Sequence, residues 1–542
     1  MKDSLLILGA GLMQKPSIVS AKDLGFNVVV LDANPNAEEV PLADKFYRID
    51  LKDRESIFEC AEKLKETENL KGIFTAGTDF SSSVSYAGEK LGFSCHSFES
   101  TLNATIKPRM RRCFEENNVP SPKFFSIKFD EIPDEIAKEK VFSAVESLGF
   151  PCVVKPADNM GARGCRMIRS EEEAWNSVLA AAENSRSRTV ILEEYMEGPE
   201  YSIDALVFNG TMTITGFADR HIFYKPYFIE MGHTMPSSVE NSKKLELIAA
   251  FAKGVSALGL SCGAAKADIK YTKNGPQIGE IAARLSGGYM SGWTFPYSSG
   301  LNLTEQAILI AAGKEPQKLL NGRIPLPVED SPFALFDFPS KKVSAERAWI
   351  SIPGTIDSIK VPENSEQSEV KNIFPRPVKQ GDEIDFPRNN VQKCGNVITL
   401  SESKKNAVFY AEKTVSEIFI RLKPCNEKTE KFLFSESLPD EKGFPPPAFS
   451  AFNSIQELNL SGEIPENSSV LKDAENFPQL KKLLLSDEKD WSYQTILEVL
   501  RRFDSVCKKH PPLQRKKIWS ALLKGSLQGA IYISDSCSNS EK

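Results

Sequence analysis

Alternating apolar and polar stretches predict that this chain begins with an α/β domain. Residues 4–8 and 26–31 form short apolar runs typical of buried strands, and an amphipathic helical pattern from Pro16 to Leu24 separates them. The alternation of strand and helix patterns continues to about residue 91. The pattern therefore predicts an open parallel sheet flanked by helices over residues 1–100.

The turn after the first strand has two interpretations. It contains Gly9 and Gly11, and the second strand ends at Asp32, an arrangement that resembles a dinucleotide-binding fingerprint. Gln14 stands where the third glycine of that fingerprint belongs, and any tight strand-to-helix connection uses a similar turn. NAD binding and a purely structural turn both remain open at this point.

A later stretch predicts a β-hairpin that carries two facing carboxylates. Apolar-rich runs flank the turn residues 273–276, which include a glycine able to adopt a positive φ. If Thr272 pairs with Pro276 across a three-residue loop, Asp268 lies opposite Glu280, with Cβ atoms about 5 Å apart. Two carboxylates this close repel unless a cation lies between them, and hard oxygen ligands suit Mg²⁺.

The period of two along a strand extends this prediction. Glu280, Ala282 and Arg284 share one face, so an arginine points into the same space as the carboxylate pair. Metal-bound phosphates beside an arginine fit that combination. The alternative is a surface hairpin whose charges are solvated.

A glycine-rich loop is the second candidate for phosphate binding. Lys155 follows a short buried strand, residues 157–164 form the loop, and residues 165–168 predict the next strand. A strand–loop–strand arrangement can close over phosphates with its backbone N–H groups, whereas a P-loop leads into a helix. Lys155 is a candidate phosphate ligand, although lysines also end strands at ordinary surfaces.

Two further stretches carry weaker signals. Residues 101–118 predict a basic, mostly helical segment with Lys107, Arg109, Arg111 and Arg112. Residues 218–238 are long, aromatic-rich and without a clear period, which predicts a functional loop.

Composition and charge narrow the function classes. A length of 542 residues predicts three or four domains. The net charge of −6 gives no basic field for nucleic acid, and no apolar run approaches a membrane span. Ten cysteines without a C-x-x-C motif predict reduced thiols and a cytoplasmic protein, and four dispersed histidines give no zinc site.

Four motifs in a fixed order resemble the ATP-grasp superfamily, specifically the carboxylate–amine ligase branch that includes L-amino-acid (dipeptide) ligases. They are VVKPADNMGARG, ILEEYMEGPEYSID, KADIKY and EIAARLSGG. The resemblance covers residues 1–425 and implies a multidomain chain of α/β and α+β domains. The implied parts are a pre-ATP-grasp Rossmann-like domain (1–100), an ATP-grasp domain (101–325, with a nucleotide-binding subdomain at about 120–197), a small β-rich lid domain (326–425) and an extra C-terminal module of unknown fold (426–542).

The resemblance also implies site residues. ATP would contact Lys107, Lys155, Gly161, Gly164, Glu193, Tyr195, Met196 and Glu200. Mg²⁺, or Mn²⁺ in its place, would be bound by Asp268 and Glu280. The catalytic residues would be Arg284, Lys155 and Arg163, and the substrate would face Glu230, His233 and Arg284.

The implied activity is ATP-dependent C–N ligation through an acyl-phosphate, on an amino acid or peptide, with release of ADP and phosphate. Ala282 replaces the asparagine that the family usually carries, which implies fewer protein ligands on one metal ion or reduced activity. Two alternatives stay open: bicarbonate activation of the biotin-carboxylase or carbamoyl type, and a nucleotide-binding regulator with reduced catalysis. The expected partners are a small carboxylate and an amine, with a homodimer and a protein partner for the C-terminal module as further expectations.

Overall fold

The computed structural model describes residues 2–129, 135–362, 367–376, 378–434, 443–455 and 459–539. The chain divides into two compact units: unit 1 comprises residues 1–221, 233–345 and 400–404, and unit 2 comprises residues 222–232, 346–399 and 405–542. Mixed parallel and antiparallel sheets confirm the predicted multidomain α/β and α+β class. The four domain boundaries given above remain a prediction.

Unit 1 begins with the predicted parallel α/β domain. Its strands are β1 (Ser4–Leu8), β2 (Asn27–Asp32), β3 (Lys45–Arg48) and β4 (Leu70–Phe74), in the order β3-β2-β1-β4. Its helices are α1 (Lys15–Asp23), α2 (Arg54–Thr67) and α3 (Ser81–Leu91). Successive side chains of β1 enter different cores, Leu5 on one face and Leu6 on the other, because both faces of a parallel sheet are covered.

The basic segment and a small antiparallel sheet come next. Helices α4 (Phe98–Thr105) and α5 (Lys107–Glu116) form the basic segment, and Pro108 lies in the first turn of α5, where a proline is tolerated. The small sheet has the order β5-β8-β6-β7 and packs against two helices. These elements are β5 (Phe124–Lys128), α6 (Glu135–Leu148), β6 (Cys152–Pro156), β7 (Arg166–Ile168), α7 (Glu171–Glu183) and β8 (Thr189–Glu194).

A second sheet of unit 1 carries most of the candidate site residues. Its strands are β9 (Glu200–Phe208), β10 (Thr211–Phe223), β11 (Ile229–Met235), β12 (Gly263–Thr272) and β13 (Gly275–Ala282), in the order β13-β12-β9-β10-β11. Helix α8 (Asn241–Ala257) covers one face of this sheet, where Phe251 packs with Ile203, Ile269 and Ile278. The opposite face is therefore available for polar side chains.

Residues 218–238 differ from their prediction as an aperiodic loop. They contain the end of β10 and all of β11. Every residue of β11 is buried, so this strand has no exposed side on which polar residues could alternate with apolar ones.

The remaining elements of unit 1 follow β13. They are α9 (Phe295–Ser299), α10 (Leu303–Ala311), α11 (Gln317–Gly322), β14 (Ile324–Pro325) and β15 (Ala334–Asp337). Within the described ranges, no helix combines the length and apolarity that a bilayer crossing requires.

Unit 2 joins short strands to the C-terminal helices through one core, in which Ile352, Ile356 and Val397 share a cluster with Trp519 and Leu523. The strand-rich part has β16 (Val343–Trp349), β17 (Gly354–Lys360), β18 (Val370–Pro375), β19 (Glu383–Ile384), β20 (Gly395–Ser401), α12 (Lys404–Glu417) and β21 (Phe419–Leu422). The rest has α13 (Glu427–Phe434), α14 (Phe452–Ile455), β22 (Glu463–Ile464), α15 (Val470–Glu475), α16 (Pro478–Leu483), α17 (Ile496–Val506), β23 (Leu513–Gln514) and α18 (Arg515–Asn539).

Candidate active site

The hairpin formed by β12 and β13 brings Asp268 opposite Glu280, as predicted. The turn is shorter than predicted: Thr272 pairs with Gly275, which leaves a two-residue loop. The register then shifts between Asp268 and Ile269, where Gly279 is the extra residue of a β-bulge. The bulge compensates for the shorter turn, so the two carboxylates still face each other.

The register across the sheet assembles a polar face around this pair. Lys266, Asp268 and Lys270 of β12 lie opposite Asp204, Ser202 and Glu200 of β9. Arg220 of β10 lies opposite Glu200 in turn. These positions share one face because side chains alternate along each strand.

Two carboxylates of this face, Asp268 and Glu200, are paired with cations. Arg220 Nη1 lies 2.6 Å from Asp268 Oδ1 and 2.7 Å from Glu200 Oε1. Lys266 also pairs with Asp268, and Lys270 Nζ lies 3.4 Å from Glu200 Oε2. These three cations were not among the predicted site residues, although the strand period of β12 places both lysines on the same face as Asp268.

Glu280 is held ionised by its surroundings. Lys107 Nζ lies 3.3 Å from Glu280 Oε1 and donates a hydrogen bond to the carbonyl of Asn159, at 3.0 Å. Burial would raise the pKa of Glu280, but four nearby cations outweigh it and lower this pKa to about 2. Lys107 thus connects the hairpin with the glycine-rich loop, as a phosphate ligand between them would require.

A buried ion cluster lies beside this connection. Glu193 is almost fully buried between Arg111 Nε and Lys155 Nζ, each 2.6 Å from one of its carboxylate oxygens. Burial would raise the pKa of Glu193, but the two cations lower it to about 2. The side chain of Glu193 therefore pairs with two cations. Its predicted contact with adenine remains a prediction.

Arg111 was missed as a site residue. Its guanidinium also donates to the carbonyl of Gly279 at 2.6 Å, so it ties the small sheet to the bulge of the hairpin. The signal lay in the basic segment: Arg111 follows Lys107 by four positions and therefore lies on the same helix face.

The glycine-rich loop lies between β6 and β7, as predicted. Gly161, Ala162 and Gly164 have positive φ angles, and a Cβ on Gly164 would lie 2.8 Å from the Cβ of Asn184. Arg163 Nε donates to the carbonyl of Met160 at 3.1 Å, so in this conformation the arginine bonds its own loop.

The segment after β8 lies beside Lys270. Lys270 Nζ donates to the carbonyl of Met196 at 3.2 Å and lies 5.1 Å from the centroid of the Tyr195 ring. The predicted adenine and ribose contacts Tyr195, Met196 and Glu200 are thus gathered around one cation, next to Asp268 on the same strand.

Arg284 follows β13 in a segment that is held from two sides. Its Nη1 donates to the carbonyl of Leu285 at 3.0 Å, and the same carbonyl accepts from the N–H of Gly77 at 3.2 Å. On the other side, Asp204 Oδ2 accepts from the N–H and the hydroxyl of Ser286, at 3.1 and 2.7 Å. Burial raises the pKa of Asp204 to about 6, although the two bonds from Ser286 oppose this rise.

The N-terminal turn uses its fingerprint residues internally. The side-chain amide of Gln14 bonds both the N–H and the carbonyl of Ala76, and Gln14 Cγ would lie 3.2 Å from a Cβ on Gly9. Asp32 accepts hydrogen bonds from the backbone N–H groups of Ala10 and Asn34, at 2.8 and 2.9 Å. These bonds favour the structural interpretation of the turn over NAD binding, because they occupy the acid and fill the space beside the first glycine.

The predicted substrate residues Glu230 and His233 both lie on β11, and their contact with a substrate remains a prediction. Both are buried residues of β11, but Glu230 belongs to unit 2, where its N–H donates to Asn390 Oδ1 at 2.8 Å. His233 belongs to unit 1, where its Nε2 lies 2.7 Å from the hydroxyl of Thr294.

The charges of unit 1 leave this region cationic. Five carboxylates are surrounded by seven cationic side chains, an excess of two positive charges that suits a polyanionic ligand. The carboxylates are Glu193, Glu200, Asp204, Asp268 and Glu280, and the cations are Lys107, Arg111, Lys155, Arg220, Lys266, Lys270 and Arg284.

The predicted metal site has only two protein ligands, Asp268 and Glu280. Within the described residues, no group of three or more His, Cys, Asp or Glu side chains is arranged to hold a metal ion. Asp268 and Glu280 nevertheless offer facing carboxylate oxygens, and Ala282 lies opposite Lys266 without adding a ligand. An ion bound here would need phosphate or water oxygens to complete its shell.

Comparisons with known proteins agree with this geometry. Residues 148–292 match the family model described as ATP-grasp domain. Human carnosine synthase 1 is 22% identical over 333 residues, which cover 58% of this chain and 40% of that protein. Formate-dependent phosphoribosylglycinamide formyltransferase from Methanocaldococcus jannaschii is 28% identical over 195 residues, covering 35% of this chain and 47% of that protein. The matches thus span less than half the length of these relatives.

Solved structures share the fold. An L-amino acid ligase from Bacillus licheniformis has a TM-score of 0.64 and 18% identity, and the match covers 78% of this chain and 100% of that one. A phosphoribosylglycinamide synthetase from Anaerococcus prevotii has a TM-score of 0.57 and 21% identity, with the same two coverages. Residues 148–292 therefore form an ATP-grasp domain, and the chain shares its fold with these two solved structures.

Proposed function

We propose that the protein is an ATP-dependent ligase that joins a carboxylate to an amine through an acyl-phosphate. The observation that carries this proposal is the excess of cations around Asp268 and Glu280, next to a glycine-rich loop of an ATP-grasp domain. A nucleotide triphosphate and a carboxylate are both anionic, so this charge balance suits their simultaneous binding. The similarity to carnosine synthase and to an L-amino acid ligase supports an amino acid or peptide as one substrate.

ATP and the metal ion would be bound by separate sets of residues. Lys107 and Lys155 would contact the phosphates, and Asp268 with Glu280 would bind Mg²⁺, or Mn²⁺ in its place. Both carboxylates fit a hard cation because they face each other and the pKa of Glu280 is held at about 2. When bound, the metal would neutralise charge on the transferring phosphoryl group.

The chemistry follows from the weakness of a carboxylate as an electrophile. A carboxylate oxygen attacks the γ-phosphorus while the bond from phosphorus to the ADP oxygen breaks, and the acyl-phosphate that results has a good leaving group. The amine nitrogen then attacks the acyl carbon and releases phosphate and a proton. Lys155 and Arg284 stabilise the charge of the phosphoryl group, and the loop with Arg163 closes over it to exclude water.

The test is ATP-dependent phosphate release by the full chain across a panel of carboxylates and amines. Release that requires both co-substrates is the expected result. Release that depends on bicarbonate instead would indicate the bicarbonate-activating chemistry, and nucleotide binding without turnover for any pair would indicate a regulator. Homodimer formation and a protein partner for residues 426–542 remain predictions.

Glu280→Ala is the sharpest variant for this test. We expect it to lower kcat by at least about 100-fold, since a metal ligand and a phosphate-facing charge are lost together. Glu240→Ala, which changes an exposed glutamate of unit 1 paired with Lys243, is the matched control and should retain wild-type turnover. Retained turnover in Glu280→Ala would refute the metal assignment.

A further inference from the structure

A small, partly open cavity of unit 1 adjoins Arg284. It has a volume of about 60 Å³ and is bounded by the end of β4, the start of α3, the chain at residues 94–96, the start of β12, and α10. At roughly 10–15 Å³ for each water-sized position, it has room for about four water molecules. The cavity is thus large enough for the chain of a very small organic acid.

Two largely buried hydroxyl groups of α3 line this cavity without a hydrogen-bond partner among the described residues. Ser81 and Ser85 of α3 are 7% and 2% exposed, both line the cavity, and neither hydroxyl makes a hydrogen bond to another described residue. A buried hydroxyl without a partner is costly, so each needs a bond to water or to a ligand. Ser81 is also the first residue of α3, whose N-cap Phe80 supplies no side-chain cap, so the N-terminus of this helix favours negative charge.

The charges of the residues that line the cavity favour a ligand that carries an anionic group and lacks an ammonium group. Arg284 lines the cavity, and none of the described lining residues is Asp or Glu. His96 also lines it, and burial lowers the pKa of this histidine to about 4, so it is neutral. An ammonium group here would be desolvated beside a guanidinium with no carboxylate to pair with.

We propose that this cavity binds the chain of the carboxylic-acid substrate, and that this acid is short and carries a neutral hydroxyl or carbonyl group instead of an ammonium group. The inference rests on the proposed ligase function. Arg284 binds the carboxylate, because it lines the cavity and follows Glu280 by only four residues along the chain, so it adjoins both the cavity and the predicted phosphate site. Ser81 and Ser85 bind the polar group of the chain, and Val84 and Ile310 contact its carbons.

Calorimetric titration of the full chain with isosteric acids tests this inference. The probes are lactate, alanine and propionate, each added in the presence of ADP and magnesium. We expect lactate to bind about tenfold tighter than propionate, the effect of one well-placed hydrogen bond, and tighter still than alanine. In the double variant Ser81→Ala/Ser85→Ala the advantage of lactate over propionate should disappear.

ADP affinity serves as the control for folding, because neither serine belongs to the nucleotide site. Ser242→Ala, a change in a serine at the exposed start of α8, should leave all four affinities unchanged. Equal or tighter binding of alanine, acid affinities that ignore the double variant, or no binding of any acid would each overturn the inference. Lactate binding that depends on Ser81 and Ser85, without phosphate release for any acid and amine, would instead refute the ligase function alone.

Discussion

Glu193 positions two cations at the predicted nucleotide site, Arg111 and Lys155. A carboxylate buried this deeply is tolerated because Arg111 and Lys155 both contact it. Arg111 in turn donates to the backbone of the hairpin, so one guanidinium joins the small sheet, α5 and β13. Lys155, the predicted phosphate ligand, therefore depends for its position on Glu193 and, through Glu193, on Arg111.

We expect Arg111→Met to lower the free energy of unfolding by about 3 kcal/mol. The variant leaves Glu193 buried with one cation in place of two, and removing one partner of a buried ion pair costs about this much. Arg112→Met is the matched control, because the side chain of Arg112, unlike that of Arg111, is exposed. Chemical denaturation of both variants measures the difference, and equal stabilities would show that the cluster contributes little.

Asp204 gives the site a pH-dependent stability. Its pKa in the folded protein is about 6, above the ordinary value of 3.8, so between these values the folded state binds the proton more tightly than the unfolded state does. This contribution is therefore fully favourable below about pH 4 and is lost as pH rises through 6. In Asp204→Asn the loss is absent, so the stability of the variant relative to wild type should rise over this window, by up to about 3 kcal/mol. Parallel thermal-unfolding midpoints of the two proteins from pH 4 to 7 would contradict this.

At the scale of elements, the hairpin shows what the sequence can and cannot specify. The facing of Asp268 and Glu280 was predicted from a three-residue loop, but the structure has a two-residue loop and a bulge at Gly279. A slip of one residue would turn Glu280 to the other face, so two deviations of one residue cancel. The glycine at position 279, inside a strand pattern, is a local signal for such a bulge, and contacts of Gly279 with Asp268 and Arg111 hold it in place.

Strand β11 was not predicted as a strand, and Arg111 was not predicted as a site residue, for related reasons. The sequence IEMGHTM alternates apolar and polar residues only in part, because His233 interrupts the period and finds its partner inside the protein. The basic segment was recognised, but which of its residues is buried depends on how α5 meets other strands. The local sequence thus predicted the elements in which apolar and polar residues alternate, whereas tertiary contacts determine the structure of the others.

The glycine-rich loop carries the prediction that belongs to this scale. Gly164 has a φ of +70°, and an added Cβ would lie 2.8 Å from both Asn184 and Pro156, so Gly164→Ala should distort the loop. Gly210 has nearly the same φ, +72°, but open space around it, so Gly210→Ala separates backbone strain from the steric clash. We expect KM for ATP to rise about tenfold in Gly164→Ala only. Equal effects in the two variants would indicate a loss of stability instead of a loop defect.

At the scale of the whole molecule, unit 2 explains why the C-terminal residues gave no recognisable pattern. Trp519 and Leu523 of α18 bury their side chains in the same cluster as Ile352 and Ile356. The helices after residue 426 therefore complete a core with strands that precede them, and their apolar faces have partners far away in the chain. Such partners cannot be read from the helices alone.

Unit 1 has a corresponding long-range connection, from the first turn of the chain to Arg284. Gln14 bonds both backbone groups of Ala76, and the next residue, Gly77, donates to the carbonyl of Leu285 that also holds Arg284. The glutamine that breaks the dinucleotide fingerprint thus fixes the backbone beside the predicted acyl-phosphate arginine. The N-terminal α/β domain thereby supports Arg284 without needing a nucleotide of its own.

Gln14→Ala tests this connection. Without the amide, the loop at Ala76 and Gly77 loses two hydrogen bonds, and Arg284 loses the support that orders its segment. We expect kcat/KM for the acid substrate to fall about tenfold while ADP affinity stays within about twofold, since misplacing a positioned group costs rate more than binding elsewhere. Lys22→Ala, a change in an exposed lysine at the end of α1, should alter neither quantity. A parallel fall in ADP affinity would mean that Gln14 supports the fold in general and not Arg284 in particular.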